Sequence, residues 1–406
     1  MNEYIESFIL NKYHEKEFIK DPTGYFYDLD EIDNNIKLLN DNMPSQISLY
    51  YAMKANFHRD VLNSIVNNRY IKGIEIASSG ELEYSSKFID SNRIIFTGPG
   101  KTVYELENAI KNNIRFINVE SVVEAYRIQE IAVKNNIPNV NILLRINLNY
   151  SLNEGTEKMS GCSTKLGIDE IYIDDAYNEI NKLDRITIKG IHVYAASGVL
   201  DYQALIKSNR YIFDLVKKIE NKYPKLEVID FGGGLGIDYT DNNQLFNIHE
   251  YGKLLKELIS EYDFLDKEII MELGTYLVGN IGYYTSKIID IKEVKGYKHI
   301  ILAGGVNHMG LPLEMKRMHP VNIIKCNIPK YYNNQCSVSK EYVDISGPLC
   351  MVSDKLSWNQ YIEDANIGDI VVYRQAGAYC YSEGMQKFLM HYEPKEIVFR
   401  SGKYES

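Results

Sequence analysis

The chain has 406 residues, 45% hydrophobic and 25% charged, an ordinary globular balance that allows a large core or two domains. Its formal net charge of −10 argues against non-specific binding to nucleic acid or to an anionic membrane surface. No apolar run reaches the ~18 residues of a membrane span, and Met1–Tyr13 lacks the shape of a signal peptide.

The five cysteines, Cys162, Cys326, Cys336, Cys350 and Cys380, are irregularly spaced with no C-x-x-C pair, which points to a reducing, cytoplasmic setting. No histidine–cysteine cluster has ligand spacing, so no metal is expected.

Beyond Tyr27, short β-rich apolar runs alternate with polar helical stretches. Strands are predicted over Ser48–Lys54, Gly73–Ala77, Arg93–Thr97, Arg115–Val119, Asn141–Asn147, Lys189–Tyr194, Glu227–Phe231 and Glu268–Glu272. Helices are predicted between them, as over Asp60–Asn67, Gly80–Ile89, Val103–Asn112, Ser121–Lys134 and Gln203–Tyr223. Eight such units predict an α/β fold, a parallel (β/α)8 TIM-type barrel over residues 28–274, close to the usual length of about 250 residues. A doubly wound sheet would have fewer strands and a glycine loop near its start. After Glu272 the β-like runs Tyr283–Val294, His299–Ala303, Tyr342–Ser346 and Asp369–Tyr373 are joined by irregular loops. They predict a mostly antiparallel C-terminal β domain over residues 275–406, which residues 1–27 join. With no low-complexity linker, the two should pack closely.

The residues that carry chemistry fall where these strands end. Lys54 closes the first, Arg145 lies near the end of the fifth and His192 late in the sixth. Gly232-Gly233-Gly234 follows the seventh, and Glu272-Leu273-Gly274 closes the eighth. In a barrel these ends build one face, the one that carries active sites. A lysine at the end of a buried strand is expected to have a depressed pKa and to attack carbonyls, such as the aldehyde of pyridoxal phosphate. Successive glycines leave N–H groups open to wrap a phosphate, though a tight strand-to-helix turn explains them equally well. Glu272 can hold the proton on a pyridine nitrogen or be a solvated residue after a strand. His192 can stack on a flat ring or be a satisfied core histidine. In the β domain, Ser346-Gly347-Pro348-Leu349-Cys350 sets a thiol in a turn, with Asp354 four residues on. A free cysteine is commonly an inert core residue, but this thiol can also deliver a proton to a carbanion.

Taken in order, YYAMKAN, GIEIASSGEL, IIFTGPGKT, ILLRINL, GIHVYAAS, DFGGGLGI, ELGTYLVG, GPLCMVSD and AGAY resemble the fold-type III, pyridoxal-phosphate-dependent decarboxylases of the ornithine/diaminopimelate superfamily, from Tyr27 to about Val398. The resemblance implies that Lys54 anchors the coenzyme and His192 stacks on its ring. It implies that Gly232, Gly233, Gly234, Gly274 and Tyr379 bind its phosphate and that Glu272 holds the pyridinium, with Arg145 as a further cation at the site. It also implies a homodimer in which Cys350 and Asp354 reach in from the second subunit.

Three departures bear on the substrate, which is expected to be a small molecule, an amino acid or a conjugated amino acid. The family's EPGR is Glu272-Leu273-Gly274-Thr275 here, so an arginine is missing. The His-x-Gly-Ser motif is His192-Val193-Tyr194-Ala195, with Ser197 as a stand-in for the lost hydroxyl. The acidic residue that pairs with a distal ammonium is Met351, and a thioether cannot compensate a buried ammonium. Other segments resemble siderophore-pathway decarboxylases acting on citryl-diaminopropionate. A citryl group would favour nearby cations, with Lys101, Lys316, Arg317 and His319 as candidates. The expectation is α-decarboxylation of an amino acid or conjugated amino acid, such as citryl-diaminopropionate. Diaminopimelate decarboxylation, racemisation and a non-catalytic coenzyme-binding role stand as alternatives.

Overall fold

The computed structural model describes residues 1–152, 154–224, 226–240, 244–326 and 337–402. After a strand that joins the second sheet, β1 (Thr23–Asp28), eight parallel strands follow. They are β2 (Ile47–Ala52), β3 (Ile71–Ile76), β4 (Ile94–Phe96), β5 (Phe116–Val119), β6 (Val140–Asn147), β7 (Ile186–His192), β8 (Val228–Asp230) and β9 (Glu268–Leu273). Each pairs with the next, and β9 returns to β2 with Ile269 opposite Ile47, closing the barrel. The strands read as continuous apolar runs because both faces are covered, by helices outside and by side chains inside. The helices bury one stripe each. Arg59–Val66, for example, buries Val61, Leu62, Ile65 and Val66. Thr102 and Glu105 start the next helix but one with a reciprocal capping box.

Inside the barrel, Tyr50, Ile95, Phe116, Leu143, Val228 and Ile270 form an apolar cluster of their own. Gly73 and Gly190 belong to the same inward rows. A Cβ on Gly73 would lie 2.3 Å from the Tyr50 ring, and one on Gly190 would lie 1.9 Å from the Val228 carbonyl. Strand side chains alternate, so the next inward position is two residues further on. Those positions are Glu75, Thr97, Asn118, Arg145, His192, Asp230 and Glu272, all buried. An apolar plug thus carries a polar layer at the C-terminal end of the barrel.

The second sheet contains β10 (Gly282–Val294), β11 (Tyr297–Leu302), β12 (Val321–Ile324), β13 (Ser337–Ser346), β14 (Lys355–Asn366), β15 (Ile370–Tyr373) and β16 (Lys395–Phe399). The order is β12-β15-β10-β11-β13-β14, with β1 alongside β10 and β16. Only β11–β13 and β1–β16 run parallel, so the sheet is mostly antiparallel. The N-terminal helices Glu3–Lys12 and Lys16–Lys20 bury Ile5, Ile9 and Phe18 against it. Two contacts pin a loop of this sheet to the barrel's rim. The Tyr379 N–H donates to the Ala55 carbonyl at 2.7 Å, and the Asn56 side chain donates to the Gly377 carbonyl at 2.8 Å. Among the described residues, no helix is long and apolar enough to cross a membrane.

Candidate active site

A cavity of about 370 Å³ opens over the polar layer, lined by Lys54, Glu75, Arg145, His192, Gly234 and Glu272 and by Tyr379 from the second sheet. Lys54 stands one step beyond its predicted place. Strand β2 ends at Ala52, and a single 3-10 turn, Met53–Ala55, carries the lysine over the rim.

The Lys54 amine lies 3.1 Å from Glu75 Oε2 and 3.2 Å from Oε1. This overturns the expected direction of its pKa. Burial does depress the amine, but Glu75, Tyr379 and Glu272 raise it, and the net shift is upward. The lysine side chain remains 46% exposed to the cavity while Glu75 is fully buried, so the anion prevails over lost hydration. Glu75 escaped the sequence reading. Its only signal was an acid inside the apolar run Ile74-Glu75-Ile76.

On the opposite wall, His192, Asp230 and Glu272 place one ligand-type atom each within 4.8 Å of one another. His192 Nε2 lies 3.5 Å from Glu272 Oε2. Burial opposes the charge on Glu272, but His192, Lys54 and Asp230 outweigh it and hold its carboxyl below the ordinary range. Asp230 was also missed. It too is an acid ending an apolar run, Val228-Ile229-Asp230.

The glycines divide their work. The Gly232 N–H is already taken by Asp230 Oδ1 at 2.9 Å, and a Cβ there would lie 2.3 Å from the Tyr194 ring. Gly232 therefore shapes the loop rather than offering a donor. Its φ of 63° and the 93° of Gly234 are left-handed conformations that favour glycine. The N–H groups of Gly233 and Gly234 find no acceptor among the described residues. Gly274 faces the Tyr379 hydroxyl, 3.1 Å from where its Cβ would be. Ser197 lies on the cavity wall with its hydroxyl 3.1 Å from that of Tyr194. Arg145 is also on the wall, but its guanidinium is committed to Glu120 at 2.7 Å.

The C-terminal cluster is not in this cavity. Cys350 is exposed and Met351 half-buried, and neither lines it. Asp354 has a role inside its own chain. It is buried, and its two oxygens accept the Val306 and Leu349 N–H groups at 2.8 and 2.7 Å. It builds the turn that presents Cys350.

Of the four candidate cations, the fold selects one. Lys101 is locked onto Glu124, Gly98 and Asn118, each at 2.7 Å. His319 is buried edge-on against Tyr239 and pushed down to about 3 by burial, which keeps it neutral. Lys316 is exposed and does not line the cavity. Arg317 does line it, 4.3 Å over the Tyr239 ring, and no carboxylate lies within ion-pair distance among the described residues.

These residues fit a ring coenzyme with a phosphate. Both His192 ring nitrogens and Glu272 Oε1 are buried without a hydrogen-bond partner, and two loop N–H groups are free beside a reactive amine. The fold and site together define a barrel enzyme that carries a carbonyl coenzyme on a lysine. Residues 29–279 match the pyridoxal-dependent decarboxylases over their pyridoxal binding domain. The chain belongs to this family: it is a pyridoxal-phosphate-dependent decarboxylase. It is 33% identical over 380 residues to the 2-[(L-alanin-3-ylcarbamoyl)methyl]-2-hydroxybutanedioate decarboxylase of Staphylococcus aureus, covering 93% of this chain and 94% of that one. The L-glutamyl-[BtrI acyl-carrier protein] decarboxylase of Niallia circulans is 30% identical, covering 94% and 89%. The crystal structure of diaminopimelate decarboxylase from Helicobacter pylori complexed with L-lysine superposes with a TM-score of 0.84 at 25% identity, over 96% of this chain and 93% of that one.

Proposed function

We propose that this decarboxylase removes the α-carboxylate from an amino acid whose far end is amide-linked to a carboxylate-bearing acyl group, the substrate type named for the Staphylococcus aureus relative. One observation carries the reading: the cavity wall holds both the Lys54 amine and the Arg317 guanidinium, which has no carboxylate within ion-pair distance among the described residues. The amine end is common to decarboxylases of many amino acids. The guanidinium selects an anionic far end.

Bound to Lys54, pyridoxal phosphate supplies an electron sink for the breaking carbon–carbon bond. Gly233, Gly234, Gly274 and Tyr379 hold its phosphate and His192 its ring face, while the ionised Glu272 keeps the ring nitrogen protonated. Cys350 comes from a second copy of the chain to hand a proton to the α-carbon, with Met351 beside it, so the working form is a homodimer. The four described cysteines are all free, which supports a cytoplasmic setting.

Glu157 and Glu383 on the same wall favour a second reading, a diamino acid such as diaminopimelate held by its far ammonium. Glu383 answers it in part. Although partly exposed, it is pushed up to about 8 by desolvation and then by its hydrogen bond with Glu314, which makes it a weak partner for a cation near neutrality. Carbon dioxide release should be measured on citryl-diaminopropionate, diaminopimelate, ornithine, lysine and glutamate. The conjugate is expected to be turned over most efficiently. Faster release from free diaminopimelate would overturn the reading.

A further inference from the structure

We propose that Asp230 is a proton-carrying positioning residue, which donates a hydrogen bond to Glu272 with one oxygen and holds the Gly232 N–H with the other. The proposal rests on the coenzyme reading of the site and adds a residue to it. One side chain then ties the carboxylate that faces the ring to the glycine loop that faces the phosphate.

Asp230 ends β8 and is fully buried, and its Oδ1 accepts the Gly232 N–H at 2.9 Å. Its Oδ2 meets no donor, and no basic side chain lies within ion-pair distance of it among the described residues. What stands beside it is the carboxylate of Glu272, itself only 6% exposed. Two ionised carboxylates cannot share a dry site at this separation, so one must keep a proton. Glu272 has the basic neighbours: the His192 ring at 3.5 Å, and the Lys54 amine at longer range. Asp230 has a backbone N–H alone, so the proton belongs on Asp230. Burial, reinforced by the charge of Glu272, holds its carboxyl well above the usual carboxylate range.

Five titratable groups surround Asp230. They are Glu272 on β9, His192 on β7, Glu75 on β3, Tyr50 on β2 and Lys54 on the turn after it. Of these, Glu272 and the His192 ring stand nearest, and the carboxylate, as an anion, is the stronger acceptor. The arrangement makes a sharp demand on substitution. Asparagine has the same shape, with a carbonyl for Gly232 and an N–H for Glu272, whereas alanine has neither.

The test uses wild-type chain, Asp230→Asn and Asp230→Ala, each stripped of coenzyme and titrated with pyridoxal phosphate. Coenzyme dissociation constants are read from visible absorbance between pH 6 and 10 (a range of about four units). Asp230→Asn is expected to bind within about threefold of wild type, and Asp230→Ala about tenfold or more weakly. If Asp230→Ala does not fold, the comparison of wild type with Asp230→Asn decides. Asp230→Asn binding as poorly as Asp230→Ala, or failing to fold, would overturn the proposal. Equal, pH-independent binding by all three would remove Asp230 alone. A wild-type chain that binds no coenzyme would remove the coenzyme reading with it.

Discussion

Glu75 grips the amine of Lys54 with both carboxylate oxygens, at 3.1 and 3.2 Å, although it sits on the strand next door and nothing in the local sequence joins the two. The pair keeps the amine charged until a coenzyme aldehyde reaches it. Only the neutral amine attacks a carbonyl, so Glu75 sets the pH at which loading begins.

Replacing Glu75 with glutamine removes the largest of the influences that oppose burial, which lowers the amine's pKa. The pH midpoint for coenzyme loading, followed by the growth of visible absorbance in coenzyme-free protein, should fall by about 1–3 units. An unchanged midpoint would mean that Glu75 does not govern the amine.

Arg317 should act on the substrate rather than on the coenzyme. Arg317→Ala is expected to raise KM for a far-end carboxylate substrate by roughly 10–100-fold, the loss of one charged hydrogen bond. Coenzyme absorbance and kcat should change little. Lysine at this position should restore only part of the loss, because it cannot present the flat fork that matches a carboxylate. A variant whose KM rises equally for ornithine, which has no far-end carboxylate, and for the conjugate would argue that the guanidinium merely props up the wall.

The exposure of Cys350 makes a prediction about assembly. Lys54→Ala and Cys350→Ala chains should each be inactive as homodimers. Mixed and allowed to exchange subunits, they should regain about a quarter of wild-type activity, since half the dimers are hybrids with one intact site of two. Activity that stays absent after proven exchange would place Cys350 outside the neighbour's site.

Glu396 on β16 is pushed up to about 7 by burial, with the charge of Glu393 adding to the rise and a hydrogen bond from the Tyr27 hydroxyl opposing it. The folded chain therefore binds this proton more tightly than the unfolded chain, whose value is near the ordinary 4.5. That contribution to stability is complete below pH 4.5 and is lost as pH rises through about 7. Glu396→Gln should flatten this part of the curve, gaining on the order of 1 kcal/mol over wild type at pH 8, a figure discounted for partial exposure. Thermal midpoints measured from pH 4 to pH 8 (about four units) check this. Parallel curves for the two proteins would contradict it.

Much of this protein was written plainly along the chain. Eight apolar runs alternating with helices specified the barrel, because a strand covered on both faces must be apolar at nearly every position. Lys54, His192, Gly234 and Glu272 could be picked out because they interrupt or end those runs, and strand ends gather on one face whatever the details of packing. Asp354 shows the limit. An acid four residues from a cysteine looked like a substrate contact, and only the folded turn revealed that two backbone N–H groups had already claimed its oxygens.

The remainder belonged to the tertiary structure. Glu75 and Asp230 read as single acids in apolar segments until barrel closure fixed the register and turned both inward, one against Lys54 and the other against Glu272. Lys101, Lys316, Arg317 and His319 were equivalent as letters, and the fold locked one away, neutralised another and left a third outside the cavity. The reason is physical. Period and polarity along a chain say which face of a strand is dry, but which charges share that dry space depends on which strands become neighbours, and there hydration is scarce enough for a partner a few ångströms away to decide protonation.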